Sequence, residues 1–286
     1  MSEKILQQIL EGERALFMKS GLEIRNSTFQ NGESPLKHCS DIDIEDTFFR
    51  WKYPMWYSRN LTLRNCVLFE MARAGIWYTQ NISMTDCDIQ APKNFRRSSA
   101  IELCNVVFSN AAETLWHCDN VAMDTVVARG DYFAMNSRNM KIRNLRLDGN
   151  YAFDGASDLE ISDSRLLCKD AFWNAENVVV RNSYILGEYL GWNSRNVTFV
   201  DCVIESLQGM CYMTDLRLEN CKLLNTTLAF EYSTVKADIN GPVDSIKNPV
   251  GGEISADSVG EIIFDDPAVD PADCPIRIWQ DHEKEK

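Results

Sequence analysis

Apolar and polar residues alternate along this chain in short bursts that return at a fixed period. The segment LEIRNSTF (Leu22 to Phe29) is echoed by IDIEDTFF (Ile42 to Phe49), LTLRNCVL (Leu61 to Leu68), ISMTDCDI (Ile82 to Ile89) and IELCNVVF (Ile101 to Phe108). The series continues through VAMDTVVA (Val121 to Ala128), MKIRNLRL (Met140 to Leu147), LEISDSRL (Leu159 to Leu166), VVVRNSYI (Val178 to Ile185), VTFVDCVI (Val197 to Ile204) and LRLENCKL (Leu216 to Leu223). The pattern is apolar-x-apolar-x-Asn/Asp-small-x-apolar, in eleven copies spaced 19 to 21 residues apart. Its fifth position falls at Asn26, Asp46, Asn65, Asp86, Asn105, Thr125, Asn144, Asp163, Asn182, Asp201 and Asn220.

Each copy predicts a strand of period two with two inward side chains. The Asn or Asp then turns the chain, because these residues tolerate the left-handed region better than other non-glycine types. A small residue follows and points inward, as at Cys66, Cys87, Ser164, Ser183, Cys202 and Cys221. One such unit cannot bury its own apolar face, so stacking against its neighbours must supply the core. The expected fold is an all-β, right-handed parallel β-helix of about 11–12 coils. A leucine-rich repeat is the nearest rival, but there Asn follows the second strand leucine by three residues; here it follows by two.

A second strand is expected at the end of each coil, with Trp56, Trp77, Trp116, Met135, Trp173, Trp192 and Phe230 as an inward column. Small residues lie two positions on, at Ser58, Thr79, Cys118, Ser137, Ala175 and Ser194. Another Asn or Asp precedes the next copy: Asn60, Asn81, Asn120, Asn139, Asp158, Asn177, Asn196 and Asp215. Ile5, Leu6, Ile9 and Leu10 suggest a short N-terminal helical cap over about residues 1–15. The domain is expected to run from 1 to 265, with a C-terminal tail over 266–286 that ends in DHEKEK.

Composition narrows the function classes. The net charge of −13 argues against nucleic acid or an anionic membrane as the main partner. No apolar stretch approaches a membrane span, and the N-terminus lacks a signal core, so a cytoplasmic location is expected. The ten cysteines form no CxxC pair, and with three histidines a zinc site has little support. Neither metal nor cofactor is expected. Cys66/Cys87 and Cys202/Cys221 read as stacked core thiols.

Candidate chemistry collects between the two strands. One outward column is expected to hold Arg73, Glu113, Asp131, Asn150, Asp170, Glu188 and Gln208; a second holds Tyr57, Tyr78, His117, Asn136, Asp154, Asn174, Asn193 and Glu231. Arg50, Lys52, Lys93, Arg96 and Arg97 cluster in the early coils, and carboxylates dominate the later ones. Carboxyls one coil apart would lie about 5 Å from each other, the separation used by retaining glycosidases. Glu113 is then the candidate proton donor and Asp131 the candidate base or nucleophile. Tyr57, Arg73, Tyr78, Lys93, Arg96, Arg97, His117, Asn136, Asp154, Asp170, Glu188, Asn193 and Glu231 are the candidate substrate contacts.

The interstrand words WKYPMWY (Trp51 to Tyr57), ARAGIWYT (Ala72 to Thr79), APKNFRR (Ala91 to Arg97), AAETLW (Ala111 to Trp116), GDYFAMNS (Gly130 to Ser137), KDAFWN (Lys169 to Asn174), GEYLGWNS (Gly187 to Ser194) and LAFEYSTV (Leu228 to Val235) carry a resemblance. With ERALF (Glu13 to Phe17) and ESPLK (Glu33 to Lys37), they resemble a bacterial family of single-stranded right-handed β-helices within the pectate-lyase-like superfamily, over about residues 12–265. The resemblance implies the fold and no activity. Polygalacturonase signatures are missing from the repeats; Asp265–Asp266 lie outside them. Two functions remain open: binding or processing a small glycan or glycoside along the interstrand face, as a hydrolase or lyase-like enzyme if catalytic, or a non-catalytic scaffold. The sequence carries no signal for oligomeric state.

Overall fold

All eleven pattern copies open as strands in the computed structural model, which describes residues 3–279. The chain divides into two compact units, Met1–Asp148 and Gly149–Lys286. Each is an all-β parallel β-solenoid. In the first unit the leading apolar residues pair in sequence, Leu22 with Ile42, Ile42 with Leu61, Leu61 with Ile82, Ile82 with Ile101, Ile101 with Val121 and Val121 with Met140. In the second, Leu159 pairs with Val178, Val178 with Val197, Val197 with Leu216 and Leu216 with Val235. These residues are buried, which sets the register: a one-residue slip would turn each apolar side chain to solvent.

Every fifth-position residue from Asn26 to Asn220 has a positive φ, from 45° at Asn182 to 58° at Thr125. Asn and Asp pay less for this conformation than other side chains, and they also bond along the stack. Asn65 Nδ2 donates to Asp46 Oδ1 at 2.5 Å, Asn105 to Asp86 at 2.6 Å, Asn182 to Asp163 at 2.6 Å and Asn220 to Asp201 at 2.7 Å. The Asn at the end of each coil forms a second ladder, with Asn60 donating to Asp41 and Asn81 to Asn60.

The ends depart from expectation. There is no α-helix among the described residues; Glu3–Leu6 is a strand paired in parallel with Leu22–Arg25. Gln7, at φ 50°, takes the place that Asn holds elsewhere. The i, i+1, i+4 spacing of apolar residues there mimics a helix, but the neighbouring strand offers backbone partners that a helix would leave unpaired. At the other end, Thr234–Lys247, Gly251–Ile263 and Ile276–Ile278 add three further rungs. A bulge between Leu218 and Cys221 shifts the register there and hides the repeat. Eight rungs in the first unit and seven in the second thus replace the 11–12 coils expected. Residues 266–279, read as tail, contain a 3₁₀ turn at Pro271–Asp273, the buried Cys274 and the last strand; DHEKEK lies outside the described residues.

The tryptophan column is not core. Met55, Ile76, Phe95 and Leu115 fill the interior, while Trp56, Trp77 and Trp116 are half-buried. Positive φ recurs at alternate residues, as at Glu113, Leu115 and His117 (53°, 60° and 54°). The segment is a run of turns rather than an extended strand, so strand alternation does not assign its faces. Phe230 is buried, with Glu231 in the place where other coils carry tryptophan. The small residues Ser58, Thr79, Cys118, Ser137, Ala175 and Ser194 are buried as expected.

Candidate functional site

The turns of Met1–Asp148 project two neighbouring rows of side chains. The inner row runs Trp56, Trp77, Arg96, Trp116, Met135, and the outer row His38, Tyr57, Tyr78, Arg97, His117, Asn136. Backbone bonds place the outer row on successive rungs: Tyr57 N–H donates to Trp77 O, Tyr78 N–H to Arg96 O, Arg97 N–H to Trp116 O and His117 N–H to Met135 O. Each outer-row residue has a positive φ, between 49° and 59°. Its side chain is thereby thrown outward, ahead of a buried residue.

Rings in these rows stack on one another. Trp56 and Trp77 lie 5.1 Å apart and 6° from parallel; Tyr57 and Tyr78 lie 4.7 Å apart at 6°. His38 covers the other face of Tyr57 at 5.0 Å. Each indole N–H is satisfied by a carbonyl of the next coil, Trp77 Nε1 to Lys93 O at 2.8 Å and Trp116 Nε1 to Tyr132 O at 2.6 Å. The Arg96 guanidinium takes the missing ring's place, 4.7 Å from the Trp77 ring centre and 4.5 Å from that of Trp116.

Glu113 does not form the expected facing pair with Asp131. Its Oε1 lies 2.9 Å from Lys93 Nζ and its Oε2 3.1 Å from Arg96 Nη2. Both of its oxygens are held by cations rather than facing the second carboxyl that a retaining-glycosidase arrangement needs. Asp131 is also one residue out of register. Tyr132, at φ 58°, occupies the position of Glu113, whose N–H donates to Asp131 O. Gly130 explains the offset: at φ 149°, a Cβ there would sit 2.4 Å from Ala112 N.

Charge on this face is lopsided. The interstrand stretches 31–39, 50–58, 70–78 and 91–97 contain seven lysines and arginines against two glutamates, in a chain of net charge −13. Lys52 is paired with Glu33, and Lys93 and Arg96 with Glu113. Arg73 and Arg97 are exposed and have no carboxylate partner among the described residues.

In Gly149–Lys286, Asp170 is buried, 2% exposed, and its Oδ1 has no hydrogen-bond partner. Burial pushes its carboxyl above the usual range, and Glu188 adds to this; Lys169 and a hydrogen bond with Tyr151 pull the other way. Glu188 is bound by Lys169 at 3.0 Å. Asp154 and Asn193 belong to a side-chain ladder, Asn174 donating to Asp154 at 2.8 Å and Asn193 to Asn174 at 2.8 Å. Glu231 pairs with Lys247 at 3.2 Å, and Tyr232 Oη donates to Asp266 at 2.8 Å.

Sequence reasoning missed His38, which stacks on Tyr57, and the outward placement of Trp56, Trp77 and Trp116. The clue was present: Trp56, Trp77, Trp116, Trp173 and Trp192 are each followed by a polar or aromatic residue and then by a small one, a triplet that repeats with the coil. It placed Tyr151 beside the carboxylates but missed Lys169 next to Asp170. Among the described residues no group of three or more His, Cys, Asp or Glu side chains is arranged to hold a metal. All ten cysteines are free thiols; Cys104 alone is exposed, and burial pushes Cys118 up to about 12. No helix among the described residues is long and apolar enough to cross a membrane.

Comparisons with solved structures return matches of low identity and low TM-score. The A-module of the mannuronan C-5 epimerase AlgE4 from Azotobacter vinelandii is 10% identical with a TM-score of 0.32, covering 98% of this chain and 90% of that one. The tailspike protein of E. coli bacteriophage HK620, in complex with a pentasaccharide, is 10% identical with a TM-score of 0.38, covering 96% and 68%. PfbA, a surface adhesin of Streptococcus pneumoniae, is 10% identical with a TM-score of 0.33, covering 86% and 70%. No curated protein matches. A family model described as "Protein of unknown function (DUF3737)" matches residues 3–277, nearly the whole chain, and the chain belongs to that family.

Proposed function

We propose that the chain binds a glycan along the turn face of Met1–Asp148, without covalent chemistry. One observation carries this reading: Tyr57, Tyr78, Arg97, His117 and Asn136 project from successive rungs of a single parallel ladder. Such rungs repeat every ~4.8 Å. A phenol, a guanidinium, an imidazole and an amide at that spacing can each bond a hydroxyl of an extended, hydroxyl-rich ligand. The ion pairs on Glu113, and its offset from Asp131, support binding over hydrolysis. A cytoplasmic location fits the ten unpaired cysteines, since disulfides persist in oxidising compartments.

Isothermal titration of the full chain with neutral and charged oligosaccharides tests the reading. Binding should be saturable, and Tyr57→Ala/His117→Ala should remove it while the melting temperature holds within a few degrees. Binding unaffected by that double variant, or absent for every sugar class, would overturn it.

A further inference from the structure

We infer that this row selects glycans carrying oxyanions, with Arg97 as the anion-binding residue and Arg73 as a second charge on the same face. The inference rests on the glycan reading above and adds the ligand class.

A protein of net charge −13 repels polyanions at long range, so any anion preference must be local. The turn face supplies it. Its lysines and arginines outnumber its glutamates, and those glutamates that form ion pairs meet Lys52, Lys93 and Arg96 rather than Arg73 or Arg97. The division has a geometric cause. Arg96 is drawn back between the Trp77 and Trp116 rings and onto Glu113, whereas its neighbour Arg97, at φ 49°, is turned to solvent. Arg97 is flanked by Tyr78 on one rung and His117 on the next. Its planar fork can hold a carboxylate or sulfate through two parallel bonds while those neighbours reach adjacent hydroxyls.

A uronate and a sulfated sugar present the same chemistry to this fork: an oxyanion on a hydroxylated ring. Nucleic acid also carries anions, but single strands are held largely by stacking bases on open aromatic faces. Here Trp56 covers Trp77, Tyr57 covers Tyr78, and His38 covers Tyr57. The face therefore favours a sugar.

The test titrates the full chain with dextran oligosaccharides, oligogalacturonate, heparin-derived oligosaccharides and a single-stranded DNA oligomer. At least one of the two charged saccharides should bind tenfold or more tighter than dextran, and the arm that responds identifies carboxylate or sulfate. Arg97→Gln and Arg73→Gln should erase that advantage with the melting temperature unchanged, and added salt should weaken binding. Equal binding of dextran and the charged saccharides would overturn the anion preference and leave the glycan reading standing. Tighter binding of DNA, or an advantage that survives both variants, would overturn it as well. Failure of every saccharide would overturn both.

Discussion

The indole of Trp77 lies over that of Trp56, with ring centres 5.1 Å apart and planes 6° from parallel, on the outside of the solenoid. Such a pair contributes about 0.5–1.5 kcal/mol beyond the area it covers, and the indole N–H bond to Lys93 about 1 more. Trp77→Ala should therefore cost about 2 kcal/mol in a urea melt, below the 3–5 kcal/mol usual for a large aromatic sealed in a core. The near-ultraviolet circular dichroism of the coupled indoles should fall in the same variant. A cost above about 3 kcal/mol would return the column to the interior.

Asn65 combines a left-handed backbone with a bond to Asp46, and the two contributions can be separated. Asn65→Ala should cost about 1–2 kcal/mol from backbone strain, plus the bond. Asn65→Gly keeps the backbone free and loses the bond, so it should cost distinctly less. Chemical denaturation of both variants gives the comparison.

Asp170 should make stability fall as pH rises. Its folded-state carboxyl is raised above the unfolded value by burial. The neutral form is therefore favoured in the fold, and folding carries no penalty below the unfolded pKa of ~3.9. The penalty grows as pH climbs through the folded value. Asp170→Asn mimics the neutral acid, so its melting temperature relative to wild type should be higher at pH 7 than at pH 4. A difference independent of pH would place the carboxylate in a solvated environment.

Glu113→Gln should lower the melting temperature modestly, because it releases two cations that Asp131 does not replace. Differential scanning calorimetry at low salt should show the loss, and added salt should shrink it. A melting temperature unchanged at low salt would show that the two ion pairs add nothing to stability.

One thiol should react quickly with Ellman's reagent in the native protein, that of Cys104, and all ten after denaturation. Burial holds the Cys211 thiol up at about 12 and that of Cys274 at about 11, which suppresses the reactive thiolate.

The strand half of each coil was legible in the sequence because it obeys one rule. Two inward apolar residues and an Asn or Asp fix face, turn and ladder together, as at Leu61, Leu63 and Asn65. The turn half was not, because left-handed residues at alternate positions rotate the faces away from strand alternation; Trp116 and Leu115 exchanged sides for that reason. Residue types pointed to the turn face as the candidate, and Tyr57, Tyr78, Arg97, His117 and Asn136 of its outer row were among the expected contacts. The partners that decide chemistry were not legible. Nothing in AAETLW says that Glu113 is held by Lys93 and Arg96 from the coil before.

The amide ladder has a consequence for how such a chain can change length. Asn81 donates to Asn60, and Asn60 donates to Asp41, always toward the preceding coil. Removing a single residue within a strand would turn that rung's apolar side chains to the wrong face and misalign its amide, whereas excising a whole coil rejoins a donor to an equivalent acceptor. Insertions and deletions in relatives should therefore come in multiples of one coil or be confined to the turns, and the solenoid is open to engineering by the coil rather than by the residue.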